Sequence, residues 1–199
     1  INQLHQHGIY KGINMVSLET PVCEFDLPAP DFSLPGIDGK TWTLNDCNGS
    51  KGLLVMFICN HCPYVKAIRD RLVRDTKELE AMGINSVAIM SNDPSLYEED
   101  SFENMKKVAA EFDFNFPYLI DETQQIAKNY GAVCTPDFFG YNGNLQLQYR
   151  GRLDESRKEA ADPNVRRDLF EAMKLVSETG KGPKDQIPSM GCSIKWKDD

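Results

Sequence analysis

Apolar positions along the chain fall into blocks whose lengths and spacings separate strands from helices. Leu53 to Ile58 is an unbroken apolar run behind the Gly49-Ser50-Lys51-Gly52 turn, and its length fits a strand covered on both faces. From Pro63 to Met82, Val65, Ile68, Leu72, Leu79 and Met82 recur at helical spacing among Lys, Arg, Asp and Glu. That pattern predicts one amphipathic helix ending at Gly83. Ile84 to Met90 reads as a second buried strand, Ser101 to Phe112 as a helix, Tyr118 to Ile120 as a short strand, and Glu122 to Tyr130 as a helix stopped by Gly131. Asp137 to Tyr141 and Leu145 to Arg150 flank Asn142-Gly143, a two-residue hairpin signal, so these two strands are expected to run antiparallel. Pro163 to Thr179 predicts a last helix with Asp162 as its cap. Near the start, Asp38-Gly39 divides Asp31 to Leu34 from Thr41 to Leu44, which predicts an N-terminal β-hairpin.

The order hairpin, β, α, β, α, β, α, β, β, α describes one α/β domain over residues 15–180, its mixed sheet flanked by helices. Residues 1–14 have no stretch apolar enough for a signal peptide and are read as vector-derived or disordered, with Met15 as a natural start. Residues 181–199, rich in Pro, Gly and Lys, are read as a C-terminal tail.

Composition narrows the function classes. The chain is 41% hydrophobic and 26% charged, and has no apolar run approaching the about 20 residues of a membrane span, so no membrane partner is expected. A net charge of -8 argues against binding by phosphate neutralisation, so nucleic acid is excluded as well. With residues 1–14 set aside, His61 is the one histidine of the domain, and any histidine-dependent chemistry has to use it. The six cysteines, at 23, 47, 59, 62, 134 and 192, are too scattered for a disulfide scaffold and fit a reducing, cytoplasmic setting.

Cys59 and Cys62 stand three apart where the first apolar strand hands over to a helix, the context in which one thiol attacks a disulfide and a second resolves the product. Two other readings stay open: a pair of inert buried thiols, and part of a soft-metal (Cu or Zn) site with His61. Zinc is the weaker of these, because Cys134 and Cys192 are isolated and structural zinc sites usually draw on two close pairs. Pro63 sets the register. A helix starting at Cys59 would put Pro63 where its missing N–H deletes an intrahelical bond, whereas Cys62 as N-cap puts Pro63 at the first helical position, where proline is favoured. Cys62 is therefore expected at the helix N-terminus, with its thiolate favoured by the unpaired N–H groups, and Cys59 upstream as disulfide partner. His61 is either an accessory that steadies a thiolate or moves a proton, or a solvent-facing loop residue.

Cys59-Asn60-His61-Cys62-Pro63-Tyr64-Val65, with Thr135-Pro136 before a strand, resembles the thioredoxin-like superfamily. More narrowly, with Ala29-Pro30-Asp31-Phe32-Ser33-Leu34 and Asp38-Gly39-Lys40, the chain is similar to peroxiredoxin-like redoxins of the alkyl hydroperoxide reductase and thiol-specific antioxidant type. The resemblance implies a thioredoxin-like fold in which Pro136 is cis and the backbone of Thr135 pairs with substrate beside the reactive cysteine. It also exposes departures. Laid on a thioredoxin, Cys62 takes the place of the attacking cysteine and Val65 that of the second, so Cys59 lies on the other side. The Pro and Thr that precede a peroxidatic cysteine by seven and three residues are replaced, counting from Cys62, by Val55 and Cys59.

Cys134 is next to Thr135-Pro136 and either resolves a disulfide or packs; Cys192 lies on the tail and supplies another thiol if the tail folds back. Arg150 and Arg152 are read as solvated. The expected activity is thiol-disulfide exchange with Cys62 as nucleophile, Cys59 (or Cys134) as resolving thiol, and Pro63, Thr135 and Pro136 in the substrate site. Thiol peroxidase activity is the alternative. The expected partners are a disulfide-containing protein or a small thiol or peroxide, and a cellular dithiol reductant; no cofactor and no metal is called for.

Overall fold

The computed structural model describes residues 16–159 and 162–198; the expectation for residues 1–14 lies outside the described residues. The strands are β1 (Ser17–Glu19), β2 (Ser33–Pro35), β3 (Thr41–Thr43), β4 (Gly52–Phe57), β5 (Ile84–Met90), β6 (Tyr118–Ile120), β7 (Cys134–Thr135), β8 (Asp137–Asn142), β9 (Leu147–Tyr149) and β10 (Met190–Ser193). The helices are α1 (Leu44–Cys47), α2 (Pro63–Lys66), α3 (Arg69–Glu80), α4 (Phe102–Glu111), α5 (Gln125–Tyr130) and α6 (Asp168–Thr179), with a 3₁₀ turn at Glu98–Asp100.

Five strands form the main sheet in the order β6-β5-β4-β8-β9. β4 is central, parallel to β5 and antiparallel to β8, and β5 is parallel to β6, so the sheet is mixed as expected. The apolar run of β4 has no polar alternation because both its faces are covered. Leu54, Met56 and Ile58 point to one face, among Leu72 and Leu79 of α3 and Leu169 and Met173 of α6. Leu53, Val55 and Phe57 point to the other, among Phe32, Ala127 and Tyr130. Each such fully buried side chain stabilises the fold by about 1.5–3 kcal/mol, which anchors the C-terminal end of β4 where the cysteines begin.

Several elements differ from the sequence reading. The helix expected from Pro63 to Met82 is broken at Ala67–Ile68, where the Ile68 N–H bonds three residues back to Val65 and Ile68 adopts φ -117. Beyond the break, Arg69 and Arg71 turn inward, Arg69 donating to the Asn60 carbonyl and Arg71 to Asp154. The last helix begins at Asp168, not Pro163. Asp162 caps a turn by accepting the Asn164 N–H, and Arg167, just before α6, is drawn to Asp75 and Glu78. The α5 helix starts at Gln125, where the Asp121 carboxylate accepts the Ile126 and Ala127 N–H groups. The β8–β9 turn is longer than the two residues expected: Asn142 accepts the Asn144 and Gln146 N–H groups and Leu145 takes φ 57, as in a longer loop closed by a left-handed residue.

The segment read as a tail carries β10, the middle strand of a second, three-stranded sheet β1-β10-β7. Both pairings are antiparallel, with Cys192 opposite Ser17 on one side and opposite Thr135 on the other. Gly191 permits this: a Cβ there would stand 2.1 Å from the Thr135 carbonyl oxygen. No helix among the described residues is long and apolar enough to cross a membrane.

Candidate active site

The end of β4 delivers Cys59, and the chain turns through Asn60 and His61 to Cys62, which is the N-cap of α2 with Pro63 at the next position. The register deduced from Pro63 is the one observed. The turn is held from outside by Asp100, fully buried at the end of the 3₁₀ turn. One Asp100 oxygen accepts the backbone N–H groups of Asn60 (2.8 Å) and His61 (3.1 Å), and the other meets His61 Nδ1 at 2.5 Å and accepts from Asn92 Nδ2 at 3.1 Å. The His61 ring stacks on Tyr97 with centroids 3.8 Å apart. His61 is thus buried and oriented, not solvent-facing, and its Nε2 has no hydrogen-bond partner among the described residues.

The peptide bond between Thr135 and Pro136 is cis, and Thr135 lies against both cysteines of the turn. Its hydroxyl lies 3.3 Å from Cys59 Sγ, and its carbonyl oxygen 3.2 Å from Cys62 Sγ, which donates to it when protonated. From β10, opposite Thr135, Cys192 places its Sγ 2.9 Å from Cys62 Sγ. All three thiols are buried, with Cys62 at 0% exposure, and all six cysteines are unpaired. A disulfide places its sulfurs about 2.05 Å apart, so Cys62 and Cys192 need move little toward each other if an oxidant removes two electrons from the pair.

These contacts separate the acidities of the three thiols. Hydrogen bonds from the Cys192 and Cys59 thiols pull the Cys62 pKa far below its ordinary value, against the upward push of burial, and the Cys192 and Val65 backbone N–H groups act in the same direction. Donation to Cys62 together with burial pushes the Cys192 thiol up, and burial first, then its bond to Cys62, pushes Cys59 up. A thiol of lowered pKa in contact with one of raised pKa is a combination that thiol exchange can use.

Cys134 makes no hydrogen bond to Cys62: its Sγ turns to the Pro136 carbonyl, 3.6 Å away, and burial, with smaller pushes from Asp137 and Cys62, raises its pKa. Cys23 and Cys47 are also raised by burial, to about 11 and about 12. Arg150 and Arg152 are not solvated as expected: Arg150 pairs with the buried Asp137 at 2.9 Å, and Arg152 with Asp168 at 2.7 Å. For metal ligation, Cys59, His61 and Asp100 place one donor atom each within 4.8 Å of one another. The contacts on Asp100 make it the group that orients His61, whose Nε2 has no hydrogen-bond partner among the described residues, while Cys59 Sγ meets the Thr135 hydroxyl.

Sequence reasoning missed Asp100 and Tyr97 and gave Cys192 only an accessory place. Asp100 ends the run Glu98-Glu99-Asp100, which reads as a solvated acidic stretch, and no local pattern marks it as the buried member.

Comparison with known proteins agrees with this architecture. The AhpC/TSA family pattern matches residues 26–156. A thioredoxin peroxidase of Fasciola hepatica is 26% identical over 159 residues, covering 76% of this chain and 78% of the relative. The crystal structure of an uncharacterised conserved protein from Geobacillus kaustophilus has a TM-score of 0.88 and 43% identity, covering 94% of this chain and all of that one. The thioredoxin domain of a thiol-disulfide oxidoreductase from Bacteroides vulgatus, 17% identical, has a TM-score of 0.54 over 67% of this chain and 89% of its own, which makes the fold thioredoxin-like.

Proposed function

The chain belongs to the AhpC/TSA family, and from that premise we propose that it is a thiol-disulfide oxidoreductase with Cys62 as nucleophile and Cys192 as resolving thiol. The observation that carries this reading is the 2.9 Å contact between a Cys62 sulfur favoured as thiolate and the protonated Cys192. Cys62 attacks one sulfur of a substrate disulfide, forming a mixed disulfide and expelling the other substrate sulfur as a thiolate. Cys192 then attacks the Cys62 sulfur, its proton passes to the expelled thiolate, and the second substrate sulfur leaves and takes a proton from solvent. Two electrons have moved: the substrate is a dithiol, and Cys62 and Cys192 are joined. A dithiol reductant returns the pair to the reduced state by the same steps in reverse, which suits a reducing compartment such as the cytoplasm. Cys59 stands by as a second neighbour of Cys62, and Thr135 and Pro136 form the wall beside the reacting sulfurs.

Peroxide is the alternative substrate, supported by the family and by the name of the Fasciola hepatica relative. Val55 and Cys59 stand where a peroxidatic site carries Pro and Thr, and this favours disulfide over peroxide. The test is peptide mapping of the gently oxidised protein, joined to assays of disulfide reduction and peroxide consumption by Cys62→Ser, Cys59→Ser and Cys192→Ser. A Cys62–Cys192 bridge, with exchange lost in Cys62→Ser, is expected. A Cys59–Cys62 bridge overturns the choice of Cys192, and full exchange activity in Cys62→Ser overturns the whole reading.

A further inference from the structure

The face of the main sheet turned away from the thiols holds a cavity. Cys59, Cys62 and Cys192 pack on one side of the sheet with Leu54 and Met56, whereas Phe139, Tyr141 and Leu147 pack on the other with Val55 and Phe57. On that second side the chain from Pro21 to Pro30 runs along β9. The Asp26 and Ala29 N–H groups donate to the Leu147 and Leu145 carbonyls, and the Leu147 N–H donates to the Leu27 carbonyl. Between this segment and the sheet lies a cavity of about 470 Å³. Its size falls within the range of about 300–1,000 Å³ usual for small-molecule sites.

The walls are apolar. The Phe139 and Tyr130 rings, edge to face with centroids 5.6 Å apart, line it together with Leu147, Pro28 and Pro30. The Tyr130 hydroxyl is taken up by the Pro30 carbonyl at 2.7 Å. Two polar side chains of the lining are more than nine-tenths buried, and each keeps a donor without a partner among the described residues. Arg150, 8% exposed, gives Nε and Nη2 to Asp137 and Nη2 also to the Gly131 carbonyl, which leaves Nη1. Its guanidinium lies 4.4 Å over the Phe139 ring. Tyr141, 2% exposed, has its hydroxyl left in the same way, close enough for the Arg150 charge to act on it, and burial keeps that hydroxyl protonated. Buried donors are normally paired, so two that face one cavity call for an acceptor inside it. At the rim Lys128 and Glu24, both exposed, offset each other, so the choice of ligand falls to the interior pair.

We propose that this cavity is a binding site for a small aromatic carboxylate, whose carboxylate accepts from Arg150 Nη1 and the Tyr141 hydroxyl while its ring lies against Phe139 and Tyr130. Two donors facing one space match an acceptor group with several lone pairs, and an anionic acceptor makes the stronger, charge-assisted bonds. Aromatic walls favour a flat apolar body that stacks or meets them edge-on. The site goes beyond the exchange reading, because none of its residues touches the three thiols across the sheet.

The test is a titration of the full-length, reduced protein with 3-phenylpropionate, followed by amide NMR. Saturable shifts at lining residues, Tyr141 and Arg150 among them, with a Kd below about 1 mM are expected. 3-Phenylpropionamide, which lacks the charge, and acetate, which lacks the ring, are each expected to bind at least about tenfold more weakly. Tyr141→Phe keeps the ring and removes the hydroxyl, and is expected to weaken 3-phenylpropionate about fivefold. Absence of saturable shifts at the lining, equal binding of the acid and either of the other two probes, or full affinity in Tyr141→Phe overturns the proposal. If Tyr141→Phe does not fold, the comparison of the three probes on the unchanged protein decides. Cys62→Ser is expected to bind 3-phenylpropionate with unchanged affinity, so failure of the exchange reading leaves this site standing; a loss of binding in Cys62→Ser overturns its independence and with it the proposal.

Discussion

The turn from Cys59 to Cys62 and the strand β10 both carry a thiol to the same point, but they are held there by different means. Asp100 grips the turn from within the core through two backbone N–H groups and the His61 ring, and Arg69 and Tyr118 tie down Asn60 from two further sides. β10 is held by pairing between two short strands and by hydrogen bonds at its two ends, through Ser189 on one side and Ile194 and Lys195 on the other. A buried carboxylate with every lone pair engaged has no lower-energy alternative, whereas strand-edge bonds exchange for bonds to water at small net cost. The turn fixes where Cys62 stands, and β10 brings the Cys192 thiol whose contact does most to lower the Cys62 pKa.

Four measurements test the contrast between the turn and β10. Cys62→Ser is expected to lower the rate of disulfide reduction by more than about 1,000-fold, which is roughly 4 kcal/mol of transition-state stabilisation, while Cys59→Ser loses less than about tenfold. Comparable losses from the two would make the turn a symmetric pair and erase the distinction. Asp100→Ala strands two backbone N–H groups and a buried imidazole, and denaturant unfolding is expected to show a loss of about 3 kcal/mol. A loss below about 1 kcal/mol would mean the turn is no more firmly held than β10.

The third measurement is a pH titration of thiolate absorbance. The Cys62 pKa is lowered chiefly by its contact with Cys192, so wild-type thiolate absorbance is expected to persist as pH falls below neutrality and to be lost only in acid. Cys192→Ala, which removes the donor, is expected to move that loss upward, toward neutral pH, by about one unit, equivalent to about 1.4 kcal/mol. No shift would assign the lowered acidity to other groups. The smallest effect is expected for Ser189→Ala, which removes the hydroxyl bond to Pro136 at the foot of β10. Amide hydrogen exchange over residues 190–193 should quicken by about fivefold, the equivalent of about 1 kcal/mol, while global stability is unchanged. Slower or equal exchange there would show β10 to be part of the global unit.

The sequence pattern alone located the central strand, the handover to a helix and the N-cap position of Cys62, because each follows from local physics: an apolar run covered on both faces, and a proline tolerated only where its missing N–H is not needed. Thr135-Pro136 beside the cysteines also came from the sequence, through resemblance; its cis geometry and contacts are tertiary facts. The choice of Cys192 as the thiol in contact, the burial of Asp100 within an acidic run and the ion pairing of Arg150 were settled by elements distant along the chain. Cys192 lies 130 residues from Cys62, and Asp100 39 residues from His61. Local propensity reaches only a few residues along a chain, whereas the pairing of β10 with β7 and the burial of one carboxylate among three acids depend on which surfaces the packed core leaves to be covered.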